Sequence, residues 1–250
     1  MKHLEIKRLA AIGLICASAQ GAELSSPDGL IGVTLSNECG ELLYSVTAAG
    51  QPVVAPSRLG MRLNGDGENA ALKIMKQQTR SADESWTPVV GKRSTVRNRF
   101  NELTLTVAVT GQSNRVMNVV FRAYDEGIAF RYVLHPEQKA PKELTILEDR
   151  SGINLSPLGP DAQVWSYRQE KRPAGPDHIA AINESRRYPV VVKSSDDRWL
   201  AVAEAALSDF DYFDLTFTEG EAPARFTIDE CTVSAPFKTP WRAIMISDNP

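Results

Sequence analysis

The residues of this sequence best suited to acid–base chemistry are its carboxylates and two histidines, His135 and His178. Glycoside hydrolysis needs two carboxyl groups a few ångströms apart across the sugar bond. Asp125-Glu126, Glu148-Asp149 and Asp196-Asp197 lie beside β-rich stretches. Neighbours on a strand point to opposite faces, so these pairs read as charged turns. A histidine can serve as a general base where it reaches the proton to be moved. His135 precedes Pro136 at a strand end and His178 sits in a Pro/Gly-rich stretch, positions that read as solvated. Neither a G-x-S-x-G elbow nor an H-E-x-x-H pair is present, so no nucleophile or zinc-protease machinery is indicated. No residue is assigned a catalytic role.

Gly65-Asp66-Gly67-Glu68-Asn69-Ala70 fits G-x-G-x-x-A, with Asp83 at the distance of a ribose contact. The residues before Asp83 are polar and do not form the second buried strand of a dinucleotide site. Asp66 and Glu68 hint at calcium, but the Gly and bidentate Glu of a helix–loop–helix site are missing. A glycine-rich turn is the reading kept. Cys39 and Cys231 are the cysteines that follow the N-terminal segment. A disulfide and a buried free pair both stay open, and no Cys/His metal spacing accompanies them. Trp86, Trp165, Trp199 and Trp241 sit near strand edges, where an indole packs a sandwich or stacks on a sugar face.

The elements that must position these residues are short β-stretches separated by turn signals. Strands are expected at Ile31 to Ser36, Leu42 to Ala48, Val53 to Ala55, Leu59 to Leu63, Leu103 to Val109, Val116 to Tyr124 and Ala129 to Leu134. Others are expected at Leu144 to Leu147, Tyr188 to Lys193, Leu200 to Ala203, Asp214 to Phe217, Arg225 to Ile228 and Arg242 to Ile246. Ala70 to Arg80 and Ile179 to Ser185 invite helical readings, while 157–160 and 173–176 read as ordered surface loops. No alternating βα pattern is present, so the fold class is all-β: a large antiparallel sandwich with one or two short helices.

Residues 1–21 read as a signal peptide, with Lys2, Lys7 and Arg8, an apolar run from Leu9 to Ala17, and small residues at Ala17, Ala19 and Gly21. The run is too short to span a bilayer of roughly 30 Å as a helix, although a plain N-terminal anchor stays open. Ile15 stands where lipid attachment at Cys16 would want a small residue. A periplasmic or secreted domain, 22–250, is expected to follow, without a stable membrane span. The formal charge of −3 gives no footprint for nucleic acid.

Several segments taken together resemble the N-terminal part of glycoside hydrolase family 97, bacterial α-glucosidases and α-galactosidases. They begin with Ser26-Pro27-Asp28-Gly29 and Pro56-Ser57-Arg58-Leu59-Gly60. Trp86-Thr87-Pro88-Val89 and Arg97-Asn98-Arg99-Phe100-Asn101-Glu102-Leu103 are similar to W-x-P-V-W-G and R-N-H-Y-N-E-L. Residues 121–132, FRAYDEGIAFRY, resemble F-R-x-x-x-D-G-x-A-F-R-Y, and Glu204 to Asp209 and Thr239-Pro240-Trp241-Arg242 close the series. Val90 and Lys92 depart from the pattern, as does Arg99-Phe100 where the family has His-Tyr.

The resemblance implies a galactose-mutarotase-like β-super-sandwich that precedes a catalytic (β/α)8 barrel. The acid and base belong to the barrel, so this chain is expected to act as a carbohydrate-binding or supporting domain, not as a hydrolase by itself. A separate barrel polypeptide and carbohydrate are the implied partners. The alternative is a free-standing mutarotase-like epimerase. One family calcium ligand lies in this domain, and Glu170, after Trp165, is its best match. Because calcium takes six to eight oxygens, the ion is expected only where a barrel completes the site.

Overall fold

Apolar residues alternate with polar ones along most of the chain, and the outcome is an almost wholly β structure. The computed structural model describes residues 20–38, 40–111, 115–134, 142–169, 172–208, 210–221 and 223–248. The first strands are β1 (Gln20–Ser25), β2 (Ile31–Glu38), β3 (Glu41–Ala48), β4 (Gln51–Leu59), β5 (Met61–Leu63), β6 (Leu72–Trp86) and β7 (Val96–Val109). Next come β8 (Val116–Tyr124), β9 (Gly127–Leu134), β10 (Glu143–Asp149), β11 (Gly152–Asn154), β12 (Gln163–Gln169), β13 (Arg172–His178) and β14 (Ser185–Lys193). The last are β15 (Trp199–Ala205), β16 (Asp214–Thr216), β17 (Pro223–Thr227), β18 (Cys231–Ser234), β19 (Phe237–Lys238) and β20 (Trp241–Ser247). Two 3-10 turns, Ser156–Leu158 and Ile179–Ala181, are the helical elements among the described residues.

Every strand pairing among the described residues is antiparallel. One layer runs β1-β2-β3-β4-β11-β17-β16 and reaches β14 at Ser185 and Arg186. The other runs β13-β12-β14-β15-β20-β9-β8-β7-β6. β14 thus passes from one layer into the other. β19 pairs with the end of β9, and β18, β10 and β5 form a separate small sheet.

The period-2 pattern fixes which side chains meet between the layers. Leu42, Tyr44 and Val46 of β3 point inward, as do Phe121 of β8, Phe130 of β9 and Phe226 of β17. The Tyr44 ring lies 5.6 Å from Phe121 and 5.4 Å from Phe130, and Phe130 meets Phe226 edge-on at 5.8 Å. Each such side chain contributes about 1.5–3 kcal/mol by leaving water, so the aromatic cluster is a principal join between the sheets.

Ala70 to Arg80 is not helical. Leu72–Trp86 is instead one long strand, in register with β7 from Leu72↔Val109 to Trp86↔Val96. Beyond Leu72 almost all of its side chains are exposed, so a helix here would have had no apolar stripe to bury. Pairing with β7 overrides the helical propensity of the Lys, Met and Gln residues. Residues 173–176 are likewise not a loop but part of β13, an edge strand that pairs with β12 through two irregular registers. Proline is tolerated at such an edge.

Candidate functional site

β6 to β9 and β20 turn a second set of side chains away from the sandwich core. Val120, Ala129, Val133 and Trp241 form a small buried cluster there, flanked by Tyr124 and Ala243. Charged and aromatic groups interleave above it. Glu102 accepts hydrogen bonds from Arg80 (2.5 and 2.9 Å) and from Arg122 Nε (2.8 Å). Arg122 also stacks between Phe100 (4.1 Å) and Trp241 (4.6 Å), and Arg131 lies 4.2 Å over Trp241.

The register produces this belt directly. Arg80 is opposite Glu102, Glu102 opposite Arg122, and Val120 opposite Arg131. Burial pushes the Glu102 carboxyl up, but the two arginine partners outweigh it and hold the group below the usual glutamate value. Burial, with Arg122 nearby, pushes the Arg131 guanidinium down. Its Nε is buried and has no hydrogen-bond partner among the described residues. Such a face, with flat cations held over aromatic rings, is suited to packing against another polypeptide surface.

The residues singled out in the sequence have mostly structural places. Asp66 is the clamp of the glycine-rich turn, accepting from Leu63 N–H at 2.8 Å and pairing with Arg115. The chain then enters β6, not a helix whose N-terminus could meet a phosphate. Asp125 accepts from Asp28 N–H and Arg99, tying the Ser26–Gly29 turn to the β8–β9 turn. Glu148 is held by Arg62 and Arg150, Asp196 by Ser194, and Asp197 by Lys193. Asp149 and Arg242 form a fully buried ion pair, with Arg242 4.0 Å over Phe213.

Trp165 and Trp199 stack on each other at 5.5 Å, Trp241 is buried, and Trp86 is half exposed at the end of β6. His178 is exposed on a groove shared with Asp177 and Glu184. Both carboxylates are held by the buried Arg186, at 2.6 and 2.8 Å. The groove thus sets His178 beside neutralised acids, a poor arrangement for the base that epimerisation requires. Cys231 is a free, half-buried thiol. Glu170, His135, Cys39 and residues 1–19 lie outside the described residues. Among the described residues no three His, Cys, Asp or Glu side chains converge on a point that could hold a metal ion.

The motif segments explain one another once folded. Thr239 Oγ1 accepts from Tyr132 N–H, and Tyr132 Oη accepts from Gly60 N–H and bonds Ser151. Glu204 is the cross-strand partner of Arg242 and accepts from Phe213 N–H at 2.9 Å. Four of the distant motifs therefore meet around β9 and β20. The belt itself was missed in the sequence, although the alternation of β7 and β8 carried its signal: Glu102, Thr104, Val120 and Arg122 share one face.

Comparison with known proteins agrees with this architecture. Residues 24–250 match the family described as glycosyl-hydrolase 97 N-terminal, and the chain belongs to that family. It is 28% identical over 236 residues to a retaining α-galactosidase of Bacteroides thetaiotaomicron, covering 88% of this chain and 34% of that protein. A probable retaining α-galactosidase of Streptomyces bingchenggensis is 27% identical, with 84% and 32% covered. Among solved structures, a glycoside hydrolase family 97 enzyme from Pseudoalteromonas sp. strain K8, in complex with panose, superposes with a TM-score of 0.79 at 25% identity. That match covers 91% of this chain and 36% of the enzyme. The chain spans about a third of the length of the curated relatives it matches.

Proposed function

We propose that this chain is an exported, non-catalytic domain that supports the (β/α)8 barrel of an α-glycosidase, with the Arg–aromatic belt as its packing face. The observation that carries the reading is the family match over residues 24–250, to relatives about three times longer. The belt supplies the physical means. Arg80, Arg122 and Arg131, backed by the buried rings of Phe100 and Trp241 and the small apolar cluster, form the contact surface and fix orientation.

The test is to replace the matching N-terminal third of the Pseudoalteromonas enzyme with residues 20–250 and assay p-nitrophenyl α-glycosides. A soluble, active chimera is expected, with the isolated chain inactive. Arg131→Glu, which sets a carboxylate over the Trp241 ring, is expected to reduce chimera activity by at least about tenfold, or about 1.4 kcal/mol. An isolated chain that hydrolyses these substrates, or a chimera indifferent to Arg131→Glu, overturns the proposal.

Calcium belongs to the same reading. Glu170 would supply one carboxylate, and the remaining oxygens would come from the barrel. When bound, the ion offers positive charge to an oxygen of the substrate or of an attacking water. Calcium titration of the isolated chain should show no tight site. Tight binding that survives Glu170→Ala sinks this part of the proposal.

A further inference from the structure

On the outer surface of β14, β16 and β17 lies an open cleft of about 270 Å³, just below the usual size of ligand sites, about 300–1,000 Å³. Its floor is a row of hydroxyls contributed by three neighbouring strands. Ser185 Oγ and Thr216 Oγ1 are 2.7 Å apart, as are Thr216 Oγ1 and Thr227 Oγ1. Three aspartates, Asp211, Asp214 and Asp229, stand around the row. Asp214 Oδ1 is buried and accepts no hydrogen bond from the described residues. Tyr212 forms one wall and is 43% exposed. Its ring is held in place by Arg187, which donates to the phenol oxygen at 2.8 Å and lies 4.8 Å from the ring centre.

These groups select a class of ligand. Three aspartates disfavour phosphate, sulfate or a uronic acid by charge repulsion. A metal ion is equally ill served, because among the described residues no three acids converge closely enough to hold one. Spaced single acceptors suit instead a ligand whose own donors are spaced. A neutral sugar ring has this form: several hydroxyls to donate to carboxylates and an apolar face to lie on an aromatic side chain. The exposed, propped Tyr212 is such a platform, and the hydroxyl row can either donate or accept.

We propose that this cleft is a binding site for a neutral saccharide, with Tyr212 as stacking platform and Asp214 and Asp229 as acceptors for its hydroxyls. The site rests on geometry of this chain alone and is independent of whether the domain supports a barrel. Calorimetric titration of the chain with panose and with melibiose tests it. Binding of at least one sugar with a Kd of about 1 mM or tighter is expected, that is about −4 kcal/mol or better. Tyr212→Ala and Asp214→Asn should each weaken it at least about tenfold, with Tyr212→Phe retaining most of the affinity. If Tyr212→Ala fails to fold, Asp229→Asn, at an exposed position, gives the same reading. Absence of binding by either sugar, binding unchanged in these variants, or tight calcium binding lost in Asp214→Asn overturns the proposal.

Discussion

At the scale of single residues, Glu102 is the group whose titration is easiest to interpret. Arg80 and Arg122 hold its carboxyl below the ordinary value despite burial. As the pH falls, the unfolded chain therefore takes up this proton first. The contribution to stability is complete above about pH 4.3, the usual unfolded glutamate value, and is lost as the pH drops through the lower folded value. Asp149, Glu204 and Asp214 are pushed up by burial and carry the opposite sign. The informative quantity is thus the difference between wild type and Glu102→Gln. Urea unfolding at pH 7 should show that variant less stable by about 1–3 kcal/mol, with the gap narrowing as the pH is lowered below the unfolded glutamate value.

At the scale of elements, the β9–β20 pairing sets the geometry on both sides of the sheet. It places Phe130 opposite Arg242 and Ala129 opposite Ala243. Gly127 begins this pairing with φ +150°, and a Cβ there would stand 2.2 Å from the Ile244 carbonyl oxygen. Gly127→Ala must therefore move backbone, not a flexible side chain, and is expected to cost about 2–3 kcal/mol. Gly67→Ala is the control, since nothing lies within 4 Å of its added carbon. Thermal melts of the two variants check the contrast: a Gly127→Ala protein as stable as Gly67→Ala would mean that the close approach of β20 is easily relaxed.

At the scale of the whole molecule, the signal peptide expected from the sequence would meet the first strand. The first two register pairs of β1 among the described residues are Gln20↔Asn37 and Gly21↔Ser36. Cleavage after Gly21 would remove both pairs. Cleavage after Ala19, within Ala17-Ser18-Ala19, keeps both pairs and the small-residue pattern that signal peptidase requires. The expected mature N-terminus is Gln20, measured by intact mass of the protein recovered from the periplasm or medium. A chain retaining residues 1–19 would point to an anchor.

The sequence by itself determined the all-β class, most strands to within a few residues, and the family resemblance. Those properties rest on local signals: the period-2 alternation, turn residues, and short motifs read along the chain. It left β6 wrong because Lys, Met and Gln favour helix locally, and only the fourteen-residue β7 ladder settles the matter. It also left the belt and the Tyr212 cleft unseen. Arg80, Glu102, Arg122 and Arg131 become neighbours through register across strands, and Tyr212, Thr227 and Ser185 through strand order. Sequence separation carries no record of either, so the tertiary structure alone could bring these groups together.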